Sequence, residues 1–474
     1  MTNINAQDIN AQEFNAQDFT AVILAAGLGK RMKSDLPKVL FPLCGRTLVE
    51  HVVDHARQAG FEKIVVVVGH GADQVKAVLG DTVQYALQAE QLGTGHAVMM
   101  AKDHVQSKHV IVLSGDAPLL TPDTLRAMAR HHLDRSAAAT VLTAVMENPE
   151  RYGRILRENN APDGRVTGIV EEKDANPEQL MIKEINTGTY CFESGVFSLL
   201  ADCGRSGSGR QNAQGEYYLT DALAAYYQAG KTVTAAILAD PHEGDAPNNR
   251  VQLAETARVI QQHILEELML SGVSVVDPHN TYVDITAKVG RDSTLMPGTI
   301  IEGSTVIGEH CQVGPYTHLK NVQIGNDVVV QHSVLIDCIV KDRVNIGPFA
   351  YIRPESVIEQ GAKVGDFVEI KKSIVGENSK VPHLSYVGDT TIGKGSNIGA
   401  GTITCNYDGK HKHHTEIGDG VFIGSNSNLV APVTIGHGAY VAAGSTITDQ
   451  VPGDALAIAR ARQVNKENYV SKQK

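Results

Sequence analysis

The sequence predicts two folds in series: an α/β domain on a parallel-type sheet, then a linker helix, then a parallel β-helix of hexad repeats. Three patterns carry this. Short β-branched runs, AVIL (21–24), KIVVVVG (63–69) and HVIVLSGD (109–116), alternate with segments such as TLVEHVVDHARQAG (47–60) that place apolar residues at helical spacing. Strands alternating with helices imply a parallel sheet covered on both faces. The stretch VQLAETARVIQQHILEELMLSG (251–272) then keeps Leu253, Ala257, Ile260, Ile264 and Leu268 on one helical face and ends at Gly272. From Val273 onward an aliphatic residue recurs at every sixth position, often with glycine after it, as in VGRDST, IEGSTV, IGEHCQ, VGPYTH, IGAGTI and IGSNSN. That period fits neither a lone helix nor an alternating strand; it fits a triangular coil whose aliphatic residues fill the centre.

The chain has 474 residues, and single cores stop growing beyond about 250–300, so more than one domain is expected. Residues 1–18 repeat a polar pentad, INAQDINAQEFNAQDF, too poor in apolar surface to offset ordering entropy, and are expected to be a disordered tail. Boundaries follow at 19–249 for the α/β domain, 250–272 for the linker helix and 273–474 for the β-helix and its basic tail. A net charge of −11 argues against a nucleic-acid or membrane-surface binder. The six cysteines show no ligand or disulfide spacing and read as free thiols in a reducing compartment. No apolar run reaches the roughly 18 residues of a membrane span, and the N-terminus lacks signal-peptide regions, so a soluble cytoplasmic protein is expected.

Function is sought where strands end, because ligands of such sheets lie beyond their carboxyl ends. The first strand runs into AAGLGKRMKSDLPK (25–38), which is neither a GxGxxG fingerprint nor a Walker loop. Gly27 and Gly29 let backbone N–H groups approach oxygens, while Lys30, Arg31, Lys33 and Lys38 supply charge, so the loop suits a polyanion; a solvated basic turn is the alternative. Asp116 ends another apolar strand, where a carboxylate needs a hydrogen bond, a cation or a capping role ahead of the TPDTL segment.

Taken in order, LAAGLGKRMKSDLPK, LQAEQLGTGHA, LSGDAPL, YGRI, VTGIVEEKDA, INTG, GEYYLTD and NNR resemble bacterial N-acetylglucosamine-1-phosphate uridyltransferases across the whole α/β region. The resemblance implies a Rossmann-like nucleotidyltransferase fold that transfers uridylate from UTP to N-acetylglucosamine-1-phosphate with Mg2+. It implies that Leu24, Ala25, Ala26, Gly27, Ser114 and Gly115 line the nucleotide pocket, with Arg31 and Lys38 on the phosphates and Gln88, Gly93 and Thr94 on the uracil. Asp116 and Asn248 match the magnesium ligands, and Gly153, Glu171 and Asn186 the sugar positions. Lys30, Ser114 and Glu172 depart from the residues usual in that family.

The hexads break at IRPESV, VEIKKSI, SKVPHLSYVGD and TITCNYDGKHKHHTEIGDG, and chemistry gathers at such breaks. These stretches resemble the acetyltransferase half of the same bifunctional family, which acetylates glucosamine-1-phosphate from acetyl-CoA and feeds peptidoglycan and lipopolysaccharide synthesis. The resemblance implies a left-handed coil, against the usual crossover hand, and a homotrimer. It implies that Arg353, Lys371, Tyr386 and Asn397 hold the amino-sugar phosphate and that His383 is the general base. Ala400, Asn406, Tyr407, Ser425, Ala443 and Arg460 match positions on the acetyl-CoA side. Histidine is also the side chain that titrates nearest working pH, as a base removing an amine proton requires. Val381-Pro382 departs from the family pattern just before His383. The HKHH run at 411–414 is read as a solvated turn rather than a metal tract, and Cys405 as a packed thiol. Two other functional classes remain at this stage: a single-activity sugar nucleotidyltransferase with a regulatory β-helix, and a non-catalytic scaffold.

Overall fold

The computed structural model describes residues 3–4, 15–161, 163–205 and 217–473. It divides into two compact units, Met1–Ile260 and Gln261–Lys474.

In the first unit, nine strands build the main sheet: β1 Phe19–Ala25, β2 Ile64–Val68, β3 Gln84–Leu87, β4 His109–Ser114, β5 Ala139–Val145, β6 Arg154–Arg157, β7 Val166–Val170, β8 Glu184–Glu193 and β9 Val233–Leu238. The order across it is β9-β5-β8-β4-β1-β2-β3, with β6 and β7 as a side branch and Asn3–Ile4 on the outer edge of β9. The chain runs from β1 outward to β3, then returns to the other flank of β1 as β4. The reversal opens a crevice between the ends of β1 and β4. Two features differ from the parallel expectation: β8 runs antiparallel to both β4 and β5, and β6 runs antiparallel to both β7 and β8.

Alternation along β1 explains the two covered faces. Ala21, Ile23 and Ala25 pack into one core with Val49, Val52 and Val53 of the helix Leu48–Gln58. Val22 joins the opposite core with Ala97 and Val98 of the helix Thr94–Met100. Of the tail expected to be disordered, residues 1–2 and 5–14 lie outside the described residues, while Ala16–Asp18 form a 3-10 turn capped by Asn15. Gly215 and Glu216 of GEYYLTD also lie outside them.

The helix Arg250–Leu270 ends in a Schellman motif: Val273 N–H donates to Leu268 O at 3.0 Å and Gly272 N–H to Met269 O at 3.1 Å. Gly272 takes φ +99°, a conformation glycine adopts without strain.

The second unit is a triangular coil of three parallel sheets, of 11, 10 and 9 strands. Val283, Ile301, Leu319, Leu335, Ile352, Ile370 and Val387 are buried on successive coils of the 10-strand sheet. The repeat is elastic. Ser293 meets Cys311 after 18 residues, Asn321 meets Asp337 after 16, and Lys394 reaches Asp419 after 25, because the loop following Cys405 is spliced into that coil. Buried hydroxyls bind the turns: Ser379 Oγ donates to Gly393 O at 2.6 Å and accepts from Ser396 N at 2.9 Å.

The first unit also buries histidines. His132 is fully enclosed, with Nδ1 at 2.9 Å from Thr140 Oγ1 and Nε2 at 3.2 Å from His109 Nδ1. Burial pushes His132 down to about 3 and His55 down to about 4, and lowers His51 and His109. These rings are neutral when folded and take up protons when unfolded, so the unfolded chain is favoured as pH falls below about 6.5. We expect calorimetry to show stability of the first unit intact above pH 6.5 and declining steadily toward pH 4, with the decline shallower in His132→Gln.

Candidate active sites

In the first unit, the β1 and β4 ends are tied together where Gly115 N–H donates to Leu24 O at 2.9 Å. Leu24 and Ala25 close β1, Ala26 is buried beneath, and Ser114 closes β4. The loop from Gly27 then folds over Lys38: Gly29 adopts φ +56°, and a Cβ there would lie 2.6 Å from Lys38 Cβ. The Lys38 ammonium is inserted between Asp116, with which it forms an ion pair, and Asn248, whose Oδ1 it reaches at 3.0 Å. Arg31 donates to the same Asn248 oxygen at 2.7 Å. These side chains, with Gly27, Gly29 and Lys30, line a cleft of about 280 Å³.

Asp116 does not take the capping role, and Asn248 is not a cap either. Thr121 caps the helix after Asp116, accepting from Thr124 N, and Asn249 Oδ1 accepts from Val251 N and Gln252 N at 3.0 Å. Asp116 and Asn248 thus present one carboxylate and one amide oxygen to a shared cation. Oxygen donors of this kind fit Mg2+.

Gln88 is buried; its Nε2 donates to Gly93 O at 3.1 Å and lies 3.1 Å from His96 Nδ1. Gly93 has φ +106°, and a Cβ would meet Tyr217 O at 2.4 Å, so only glycine fits. The Thr94 hydroxyl accepts from Leu219 N at 3.0 Å. Gly153, Glu171 and Asn186 come together next to the end of β4: Gly188 N donates to Asn186 Oδ1 at 3.0 Å, and a Cβ on Gly188 would lie 3.2 Å from Ser114 Oγ. Asn186 N donates to Gly153 O at 2.9 Å, and a Cβ on Gly153 would stand 3.4 Å from the Glu171 carboxylate. Burial raises the Glu171 carboxyl, with Asp174 and Asp221 adding to the effect. Tyr190, missed in the sequence, holds Asn186 by accepting from its Nδ2 at 2.8 Å.

In the second unit, the ladder registers set Tyr351, Glu369 and Tyr386 in one column of the 10-strand sheet, and Arg353, Lys371 and Gly388 in the column two residues on. Ile352, Ile370 and Val387 between them point into the core, so both columns face outward. Arg353 donates to Glu369 Oε1 at 2.7 Å. Lys371 lies 3.8 Å from Asp389, which also accepts from the buried Asn406 amide. A Cβ on Gly388 would meet the Tyr386 hydroxyl at 2.5 Å and Asn406 Nδ2 at 2.8 Å, so glycine leaves the room in which these groups meet. Lys412 comes from the spliced loop, and the Lys371 ammonium holds it below the ordinary lysine range. Two converging ammonium groups prepare a place for an anion.

His383 closes the strand Lys380–His383 of the 11-strand sheet, just before Tyr386 opens the next strand of the 10-strand sheet. Asp366, one coil earlier in register, faces its Nδ1 at 2.6 Å. Continuing the pairings Lys380 to Asn397, Ile398 to Ile423 and Ile423 to Val441 brings His383, Ala400, Ser425 and Ala443 into one column along the axis. Arg460 lies beyond, its Cδ 3.9 Å from where a Gly444 Cβ would be. Asn397 heads the strand below Ala400, and Tyr407 lies on the spliced loop, its hydroxyl donating to Gly409 O at 2.7 Å. The pattern break at Val381-Pro382 leaves the register intact: Val381 is buried in the central column. A Cβ on Gly365 would sit 1.9 Å from Pro382 O, so glycine is required beside the proline.

The histidine-rich turn pairs with its own carboxylates, His413 with Asp408 at 2.7 Å and His414 with Glu416 at 3.1 Å. Among the described residues, no cluster of three or more His, Cys, Asp or Glu side chains could hold a metal, and no helix is long and apolar enough to cross a membrane. Asp366, Asp389 and Lys412 escape sequence reasoning because their partners lie a full coil away; the coil length of 16 to 18 residues is the signal that finds Asp366 and Asp389.

Residues 21–169 match the MobA-like NTP transferase domain. Residues 286–321, 304–338 and 414–449 match the bacterial transferase hexapeptide of six repeats, and 335–407 the GMPPB C-terminal domain. Curated proteins named bifunctional protein GlmU align over nearly the whole chain. Those of Geobacillus sp. (strain WCH70) and Heliobacterium modesticaldum are each 52% identical over 95% of this chain, covering 97% and 98% of the relative. That of Bacillus velezensis is 51% identical over 95% of this chain and 98% of its own length.

Replacing Asp389 with alanine leaves the Asn406 amide, only 6% exposed, without its partner. An orphaned buried donor costs about 1–3 kcal/mol. Urea unfolding followed on the second unit is expected to show a loss in that range.

Proposed function

The chain belongs to the family of bifunctional proteins named GlmU, and we propose that it makes UDP-N-acetylglucosamine in two steps at separate sites. The observation that carries this reading is the coexistence of two unlike clusters: an oxygen-donor pair with two cations in the first unit, and a histidine-headed column with an anion point in the second.

In the first step, the amine of glucosamine-1-phosphate attacks the thioester of acetyl-CoA. His383 takes the amine proton as the C–N bond forms, the tetrahedral oxyanion is met by the Ala400 backbone N–H, and the C–S bond breaks with CoA leaving as thiol. Arg353, Lys371, Tyr386 and Asn397 hold the sugar phosphate, with Lys412 added to them. Asn406 and Tyr407 orient amine and acetyl donor, and Ser425, Ala443 and Arg460 extend the column for CoA, whose length suits groups stacked about 4.8 Å apart.

In the second step, a phosphate oxygen of N-acetylglucosamine-1-phosphate attacks the α-phosphorus of UTP in line, and pyrophosphate leaves. The nucleophile is already ionised, so positioning and charge balance suffice. Asp116 and Asn248 would hold Mg2+, which supplies neutralisation of phosphate charge when bound. Arg31 and Lys38 balance the triphosphate; Leu24, Ala25, Ala26, Gly27, Ser114 and Gly115 form the nucleotide floor. Gln88, Gly93 and Thr94 read the uracil, and Gly153, Glu171 and Asn186 receive the sugar. Free thiols at Cys191, Cys311, Cys338 and Cys405 suit a reducing compartment, consistent with a cytoplasmic enzyme.

A homotrimer is part of this proposal. Tyr316, His332, Phe349 and Phe367 stack ring on ring at 5.8, 5.5 and 5.3 Å along one corner of the coil. Leu384 continues the stripe, and Tyr316, Phe349, Phe367 and Leu384 are all more than half exposed. An apolar stripe of this extent suits burial against other copies, and it borders the His383 column. Phe367→Asp is expected to reduce the mass measured by light scattering from trimer to monomer.

Incubation with glucosamine-1-phosphate, acetyl-CoA, UTP and Mg2+, following free thiol and pyrophosphate separately, tests the two activities. His383→Ala is expected to abolish thiol release while sparing pyrophosphate release from N-acetylglucosamine-1-phosphate. Asp116→Asn is expected to do the reverse; equal loss of both activities in either variant overturns the two-site reading.

A further inference from the structure

We infer that Asp366 is a positioning residue for acetyl transfer, fixing the His383 imidazole so that Nε2 is the nitrogen that takes the proton. The inference deepens the reading of His383 as general base and rests on it.

Two contacts from Asp366 reach the segment that carries the histidine. Its Oδ1 lies 2.6 Å from His383 Nδ1, and its backbone carbonyl accepts from Leu384 N at 3.0 Å. Ladder register makes this a built arrangement, since Asp366 and His383 are direct partners on adjacent coils. The Ser385 hydroxyl adds a third tether, donating to His383 O at 2.8 Å. An ionised carboxylate can only accept, so Nδ1 must carry the hydrogen and Nε2 keeps the lone pair. The His383 contact holds the Asp366 carboxyl below the usual carboxylate range, which keeps it in that accepting form.

Position of the ring matters because His383 lies outside the core column, with over half of its side chain exposed on the single chain. An imidazole without a fixed partner divides its time between rotamers and between two tautomers. Asp366 removes both freedoms at once. Fixing a base through the hydrogen bond on its other nitrogen is the general means by which imidazole is oriented.

The test measures acetyl transfer in the full-length protein, with glucosamine-1-phosphate and acetyl-CoA varied, in Asp366→Ala, Asp366→Asn and His383→Ala. Two-bond 1H–15N spectra of the His383 ring, assigned by its absence in His383→Ala, report the tautomer. Asp366→Ala is expected to lower kcat about tenfold or more, a part of the ~10²–10⁴ that a general base contributes. KM for glucosamine-1-phosphate should stay within about twofold, and the ring should show a mixture of tautomers. Asp366→Asn keeps an accepting oxygen and should recover most of the kcat and the single tautomer. Pyrophosphate release by the first unit and the trimer mass should be unchanged in all three. If His383→Ala abolishes acetyl transfer while Asp366→Ala keeps kcat and tautomer as in the parent, the positioning role is overturned and the general base stands. If His383→Ala retains acetyl transfer, the general-base reading itself fails.

Discussion

Almost everything in the second unit follows from one constraint: an aliphatic side chain must return to the axis at about every sixth residue, because coil stacks on coil only if each centre is filled. Parallel pairing then repeats the same position about 4.8 Å up the axis. Residues 16 to 18 apart in sequence become neighbours, and outward-facing positions line up in columns. His383, Ala400, Ser425 and Ala443 stand together because of core register, although none of them belongs to the core. A single-residue slip would turn this column inward and break both packing and site, so the chain accommodates variation elsewhere, at the corners. Pentads replace hexads there, and the loop bearing Tyr407 and Lys412 is spliced in whole without disturbing the strands on either side.

The first unit solves a different problem, that of gathering charge at a rim. Lys38 lies 78 residues from Asp116 and 210 from Asn248, yet one ammonium satisfies both acceptors. Its side chain is 11% exposed, so the pairing is with the protein rather than with water. Without a polyanion the lysine keeps two oxygen donors from facing one another uncompensated.

Sequence alone reveals the parts that depend on period. The β-branched runs, the helix ended by Gly272 and the hexads are each set by local composition and appear where expected. The antiparallel course of β8 was not legible, because Glu184–Glu193 alternates in the same way whichever direction it runs. Its direction follows from where the chain re-enters: β5 ends at Val145 and β8 begins beside it at Glu184, so the β6 and β7 branch leaves and returns at the same end of the sheet. The predicted site residues were found by type and motif, but their supports were not. Asp366 looks like one more polar hexad position, and Lys412 like one of many charges in a solvated turn. Only the coil length turns the first into a partner of His383, and only the loop's path brings the second to Lys371.

Two separate sites are also what the chemistry demands. Transfer to an amine needs a base that can take up a proton, and an imidazole packed beside Arg31 and Lys38 would stand among cations that disfavour its protonated form. Transfer to a phosphate needs no base but must balance the charge of a triphosphate, which Arg31 and Lys38 gather at the rim of the first unit. The coil offers columns fixed by register; the crevice beside β1 offers backbone N–H groups and the cations Arg31 and Lys38. Joining the two folds in one chain lets each keep the electrostatics its own step requires, while the acetylated sugar phosphate released by one is the nucleophile used by the other.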